Sequence, residues 1–317
     1  MMNHALRTLG RRMALALASV MCAAPTASAQ RTHVLLVEGL SGDPVFKKTF
    51  ADAAATIRAA AKSKWSVADS SLIVLTEDSV GTGPQHTRST RNAVASAFLS
   101  LSKRVQPGDV LLVVLMGHGS GEGAASKVNL PGPDPTAADY ATWIAGFARQ
   151  TVVFVNTASG SGDFLPVISG SGRIVVTSTR SAMERNETVF LQNFAKGLTT
   201  DGADVDKDGR VSVLEAYRYT TREVARAYES TGRMQTEHAQ LSDSLLARSV
   251  AFGGAAASSN PRIAALVAER QQLESDVAAL RGKKATMDAA AYEKELERLL
   301  LAIAEKTQAI KALGGGR

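Results

Sequence analysis

Two short apolar runs, each ended by glycine and polar residues, constrain the fold of this chain more than any other feature. The first run covers residues 109–116 and is followed at once by Gly117-His118-Gly119. The second covers residues 151–155 and is followed by a polar, glycine-containing segment at 156–162. Both runs are rich in β-branched residues and do not alternate, which is typical of strands buried on both faces of a parallel sheet.

The segment between the two runs has the pattern of a helix. Thr136 and Asp139 form a helix-start signature, and an amphipathic stretch continues to about Phe147. A strand, a helix and a second parallel strand form one right-handed crossover unit. Both polar ends are therefore expected at the carboxyl edge of the sheet, where open α/β sheets place their functional sites.

The rest of residues 30–250 continues the alternation of strands and helices, which predicts an α/β fold. We expect a three-layer sandwich around a mostly parallel sheet, and the hydrophobic content of 45% supports a sizeable core. The further predicted strands cover 32–40, 71–75 and 173–179, and the further predicted helices cover 44–62, 87–103 and 187–198.

The residues around the two polar ends resemble a known family. The segment 115–119 resembles the strand-plus-His-Gly motif of the caspase–haemoglobinase fold, the fold of legumain-type cysteine peptidases. The segment 154–162 resembles the second motif of that family, in which the catalytic cysteine follows an alanine. In this chain the cysteine position falls on Ser159. A two-residue slip would put Thr157 there instead, but would lose the alanine match.

The resemblance covers about residues 32–245, and it implies roles for individual residues. His118 would be the general base, Ser159 the nucleophile, and the backbone N–H of Gly119 a donor to an oxyanion. By the same resemblance, a substrate pocket for the residue before the cut bond would be lined by Ser178, Thr179 and Arg180.

The serine in the place of the cysteine leaves three hypotheses open. A thiol is partly ionised near neutral pH, whereas a hydroxyl needs activation by an oriented base, and neither Glu122 nor Asp163 is obviously placed to orient His118. The first hypothesis is an active serine-variant peptidase. The second, which the sequence favours, is a catalytically weak or silent relative that acts as a binding or scaffold protein. In the third, His118 and Ser159 only cap buried strands.

Residues 204–215 match the twelve-residue calcium loop of an EF-hand at each defining position. Oxygen donors at this spacing suit a hard cation, so the sequence predicts Ca²⁺ binding by a single loop. The predicted ligands are the side chains of Asp204, Asp206, Asp208, Ser212 and Glu215 and the carbonyl of Arg210.

Beyond a small-residue linker at 251–260, residues 261–313 carry two heptad-like apolar seams. Arg270 fills one position of the first seam, and 281–284 separate the two seams. This pattern predicts an antiparallel helical hairpin or coiled coil. We expect the hairpin to pack on the core, to dimerise or to dock a protein partner.

The first 29 residues have the pattern of a secretory signal, with cleavage expected after Ala29. The sequence therefore predicts an exported protein, periplasmic or secreted, without a membrane span in the mature chain. Cys22, the only cysteine, would be lost with the leader. Loss of three leader arginines reduces the formal charge from +6 to +3, which argues against a nucleic-acid partner. The expected partners are calcium and either a polypeptide substrate or a docked protein.

Overall fold

The computed structural model of the 317-residue chain describes residues 30–78, 87–252 and 260–314. The predicted leader, 1–29, and most of the predicted linker, 253–259, lie outside the described residues. The expectation of export and of cleavage after Ala29 therefore stays a prediction.

A mostly parallel sheet forms the centre of the protein. Within the described residues its strand order is β3-β2-β1-β4-β7-β8-β9, and only β9 runs antiparallel to its neighbour. A separate antiparallel pair is formed by β5 and β6. The strands are β1 (Thr32–Glu38), β2 (Leu72–Thr76), β3 (Thr87–Arg88), β4 (Val110–Met116), β5 (Gly119–Ser120), β6 (Lys127–Val128), β7 (Thr151–Asn156), β8 (Arg173–Thr177) and β9 (Gln240–Leu241).

Helices cover both faces of the sheet, so the predicted three-layer α/β fold is confirmed. Alternate residues of β4 enter two different apolar clusters, one shared with α1, α5 and α6 and the other with α2, α3 and α4. The helices are α1 (Pro44–Ser63), α2 (Arg91–Ser102), α3 (Ala137–Ile144), α4 (Phe164–Ile168), α5 (Phe190–Thr199), α6 (Val213–Ser230), α7 (Ser244–Ser249), α8 (Pro261–Gly282) and α9 (Ala289–Gly314).

The register of the central strands brings the two polar strand ends together. Leu115 of β4 lies opposite Asn156 of β7 in a parallel ladder, and β4 also pairs along its whole length with β1. The segments that begin at Gly117 and Thr157 therefore leave the sheet side by side at its carboxyl edge.

Two short strands differ from the sequence-based prediction. The helix predicted to start at Thr87 begins at Arg91, capped by the Thr90 side chain, and Thr87–Arg88 pair with β2 instead. Gln240–Leu241, predicted to be part of a polar loop, pair with β8. Strands of two residues have no periodicity of their own, because they are defined by the neighbour that accepts their hydrogen bonds.

The helices α8 and α9 form the predicted hairpin, called here the hairpin. The described residues before the hairpin, 30–78 and 87–252, are called here the α/β body. The two buried apolar clusters of the hairpin consist of hairpin residues only, and neither contains a residue of the α/β body. Within the described residues, no helix has the length and apolar character needed to cross a bilayer.

Candidate functional site

His118 follows β4 and is held by a backbone carbonyl and two aromatic rings. Its Nε2 atom lies 3.1 Å from the carbonyl oxygen of Ser41. The Phe46 ring meets the imidazole edge-on with centroids 4.8 Å apart, and the Phe50 ring lies at 5.8 Å. Because a carbonyl oxygen can only accept, the neutral ring carries its proton on Nε2 and keeps the lone pair on Nδ1. The role of His118 as a general base stays a prediction.

The two motif segments are in direct contact. A Cβ atom added to Gly119 would lie 2.2 Å from the carbonyl oxygen of Ser159, closer than atoms can approach. Because the backbone after β7 is in contact with position 119, only glycine fits there. The sequence-based expectation that both strand ends share one edge of the sheet is met at this point.

His118 and Ser159 line one small cavity of about 30 Å³, together with Phe46, Phe50 and Leu191. A cavity of this size has room for about one or two water molecules. Ser159 is 7% exposed, and among the described residues its hydroxyl makes no hydrogen bond to the His118 ring. The arrangement brings a base and an alcohol to the same cavity but does not couple them.

Thr157, the alternative nucleophile, is committed elsewhere. Its hydroxyl donates to the Leu115 carbonyl at 2.8 Å, and the residue is 2% exposed. A hydroxyl held in this way ties β7 to β4. The assignment of Ser159 to the cysteine position stays a prediction.

The acids close to the motifs in sequence have other roles. Asp163 accepts from the backbone N–H of Gly123 at 2.7 Å and of Ala182 at 3.2 Å. Glu122 pairs with Arg185 at 3.5 Å. Among the described residues, no carboxylate is hydrogen-bonded to the His118 ring, although Glu187 lines the same cavity.

The residues predicted to line the substrate pocket lie after β8. Ser178 and Thr179 are fully buried, and their hydroxyls lie 3.1 and 3.2 Å from the Ser161 hydroxyl. Arg180 is exposed, and its backbone N–H donates to Glu184. None of the three predicted pocket residues lines the cavity at His118. Their role in substrate binding stays a prediction, and buried hydroxyls with internal partners give it no support.

A larger cavity of about 260 Å³ shares Phe50 with the first one as a lining residue. Its polar lining includes Glu38, Glu77 and Asp78 together with Lys47 and Arg58. Burial raises the pKa of Glu38 to about 7, and the neighbouring Glu77 carboxylate acts in the same direction. The sequence did not single out this group, because nothing in a strand-end glutamate shows how deeply it is buried.

Residues 204–215, called here the acidic loop, have the backbone and donor geometry of a cation site. Carboxylate oxygens of Asp204, Asp206 and Asp208 lie within 4.8 Å of one another. Gly209 has a φ of +86°, as the sharp turn at the sixth position requires, and its N–H donates to Asp204 at 3.1 Å. This acidic triad can hold a metal ion, and its identity as Ca²⁺ stays a prediction.

The end of the acidic loop is also the start of α6. Ser212 and Glu215 form a capping box, in which the Ser212 side chain accepts from the Glu215 N–H and the Glu215 carboxylate accepts from the Ser212 N–H at 2.9 Å. The other Glu215 oxygen accepts from the Val205 N–H at 2.8 Å. The twelfth-position glutamate therefore closes the loop on itself, with both oxygens directed into it.

A cationic side chain from outside the loop contacts two of these carboxylates. The Arg270 guanidinium of α8 lies with Nη1 2.5 Å from an oxygen of Asp206 and with Nη2 against Asp208. The Arg270 side chain is 5% exposed. Burial, reinforced by Asp208, raises the pKa of Asp206 to about 6, although Arg270 opposes this shift. In the sequence, Arg270 differs from its neighbours only as a charged residue in an apolar seam, and that irregularity is the signal for it.

The comparisons with known proteins give distant likenesses. No family model matches the chain, and no curated protein matches it either. One similar solved structure is protein GSU0716 from Geobacter sulfurreducens, with 12% identity and a TM-score of 0.43 over 74% of this chain and 96% of that one. Another is drICE, a caspase, with 9% identity and a TM-score of 0.36 over 67% of this chain and 87% of that one.

Proposed function

We propose that this chain is an exported, calcium-binding relative of the caspase–haemoglobinase peptidases that acts by binding rather than by hydrolysis. The kinship rests on the two motifs in the sequence, and the contact between Gly119 and the Ser159 carbonyl supports it. The signal-like pattern of residues 1–29 is the basis for export.

The state of Ser159 carries the proposal of a silent site. A serine hydroxyl becomes a nucleophile when a base removes its proton in the attack. Here the residue is 7% exposed and lines a cavity of about 30 Å³, and its hydroxyl is not hydrogen-bonded to His118 among the described residues. The His118 ring is oriented by a neutral carbonyl, which stabilises an imidazolium less than a carboxylate would.

Calcium is the ligand that the acidic loop fits best. Four carboxylates, a hydroxyl and a backbone carbonyl stand at the spacing of an EF-hand loop, and the cation would supply the positive charge that these acids need. Because one loop is present among the described residues, a structural ion is the simplest role.

One observation favours the alternative, an active serine-variant hydrolase. His118 and Ser159 line the same cavity, and the lone pair of Nδ1 is not used by the Ser41 hydrogen bond. A movement of α1 or α5 would open that cavity to a substrate.

A fluorophosphonate probe separates the two functions, because it labels only an activated serine. We expect no labelling of residues 30–317, with or without calcium. Labelling at Ser159 that disappears in His118→Ala would contradict the silent site and establish the alternative. Thr157→Val serves as the control for reaction at the neighbouring hydroxyl.

A further inference from the structure

The acidic loop is occupied by a cation of the chain itself. Each of Asp206 and Asp208 uses one carboxylate oxygen to accept a backbone N–H of the loop, from Asp208 at 3.3 Å and from Arg210 at 2.8 Å respectively. The other oxygen of each aspartate faces the Arg270 guanidinium. These two oxygens are the ones that an EF-hand loop would offer to its ion at the third and fifth positions.

A guanidinium and a calcium ion cannot share these oxygens. Calcium takes its ligands at about 2.3–2.6 Å, and a second cation in contact with the same oxygens would be repelled. The four acids of the loop face Arg270 and also Arg210, which lies 3.7 Å from Asp208, while Glu274 lies 3.5 Å from Arg270 and offsets its charge. Calcium would bring two positive charges in place of the one on Arg270. The ion is therefore the better match in charge, and Arg270 is the occupant when calcium is low.

Arg270 also holds the hairpin to the body, and few other contacts do so. The apolar clusters of the hairpin contain no body residue. A groove of about 300 Å³ lies between α7 and the hairpin beside the contact of α7 with α8, lined by Leu245 and Leu246 on one side and by Val277 and Ile303 on the other. An apposition of this kind contributes little burial compared with a close-packed core.

Two other polar contacts join the hairpin to the body: the Gln271 amide oxygen accepts from Arg210 of the acidic loop at 2.8 Å, and Arg281 contacts Asp243. The second is the weaker. Arg281 pairs with Asp243 at 3.0 Å, but 43% of its side chain is exposed. Exposed pairs of this type contribute little to stability, whereas removal of one partner from a buried pair is strongly destabilising. The last residue of α9 meets the acidic loop as well, since Gly314 approaches Lys207 closely enough that a Cβ atom would lie 2.7 Å from the Lys207 side chain.

From these contacts we propose that Arg270 and a calcium ion compete for Asp206 and Asp208, so that calcium binding undocks the hairpin from the α/β body. The inference rests on the proposed calcium binding. It gives the single loop a second role, because the ion then controls the position of a helical pair that carries its own core and stays folded when released.

Calcium titration by calorimetry tests the competition, using residues 30–317. Arg270→Gln removes the competitor, so we expect calcium affinity to rise by a factor of about 5–150, the range typical of coupled sites. Arg270→Lys keeps the positive charge but cannot contact both aspartates through two separate nitrogens, and we expect an intermediate calcium affinity. Lys294→Gln removes one charge from the exposed face of α9 and should leave the affinity unchanged.

The position of the hairpin is measured with two spin labels. Residues 30–317 contain no cysteine, so Ala59→Cys on α1 and Glu297→Cys on α9, both exposed, give a single labelled pair. We expect calcium to lengthen and broaden the distance distribution. In Arg270→Gln the distribution should already be broad without calcium, and in Glu215→Ala calcium should change nothing.

The outcomes separate the two proposals. Absence of calcium binding in both the wild type and Arg270→Gln would overturn the proposed calcium function itself. Equal affinity in both proteins would overturn the competition and leave calcium binding intact. Tighter binding in Arg270→Gln without a calcium-dependent change of the label distance in the wild type would overturn the undocking.

Discussion

The Nε2 atom of His118 lies 3.1 Å from the backbone carbonyl of Ser41, so a neutral dipole rather than a carboxylate orients the ring. The carbonyl fixes the tautomer and leaves Nδ1 as the free base. It does not neutralise the imidazolium that would form when the base takes a proton. A histidine held in this way is sufficient to activate a thiol, which is partly ionised near neutral pH. It is a weak activator for the less acidic hydroxyl of Ser159.

A cysteine at position 159 should therefore be a reactive nucleophile. Ser159→Cys would carry the only thiol of residues 30–317, and a nearby imidazolium would lower its pKa. We expect alkylation by iodoacetamide at pH 6.5 to be about tenfold slower in Ser159→Cys/His118→Ala than in Ser159→Cys. Ser161→Cys, at a position 1% exposed, is the matched control for burial. Equal rates with and without His118 would show that the two side chains do not interact.

The close approach at Gly119 predicts a large loss of stability from a single methyl group. In Gly119→Ala the Cβ would lie 2.2 Å from the Ser159 carbonyl, and the backbone of one segment must move. We expect a loss of about 2–4 kcal/mol in the free energy of unfolding, measured by urea denaturation.

Gly146→Ala is the control for this change. Its nearest neighbour would be the Ser102 Cβ at 3.6 Å, an ordinary contact. We expect its stability to lie within about 1 kcal/mol of the wild type. If Gly119→Ala denatured at the same urea concentration as Gly146→Ala, the two motif segments would not be in contact.

Glu38 predicts a particular pH dependence of stability. Burial raises its pKa to about 7 in the folded protein, above the ordinary value of 4.5. Between these values the folded state binds the proton more tightly, so stability falls as the pH rises from 4.5 through 7. Glu38→Gln removes this loss. We expect its free energy of unfolding to exceed that of the wild type by about 1–3 kcal/mol at pH 8 and to equal it at pH 4.

The measurement is urea denaturation of both proteins across this pH range. Glu297→Gln, on the exposed face of α9, is the control for a general charge effect. A gain for Glu38→Gln that is the same at pH 4 and pH 8 would exclude deprotonation of Glu38 as its cause.

Much of the fold could be predicted because the central strands carry their own signal. β4 and β7 are buried on both faces, so their sequences are continuous apolar runs and their order along the chain fixes a crossover. The capping box of Thr136 and Asp139 was equally readable, because its two residues are three apart in sequence.

The partners of the site residues could not be predicted in the same way. Ser41 reaches His118 through a backbone carbonyl, which every residue possesses, and it is 77 positions away. Arg270 reaches Asp206 from 64 positions away on a separate helical pair. Contacts of this kind depend on the packing of whole elements, and a local sequence pattern does not record them.

Calcium binding is the central claim, and thermal unfolding of residues 30–317 with 1 mM calcium or with chelator tests it most directly. A ligand that binds only the folded state stabilises it by about 2.7 kcal/mol at a hundredfold excess over its Kd, whether or not the hairpin moves. For this chain length we expect a rise in Tm of about 5–10 °C in calcium. Glu215→Ala should lower the Tm in chelator by loss of its cap and abolish the rise, whereas Glu297→Ala should keep it. Melting curves of the wild type that coincide in calcium and in chelator would contradict the claim.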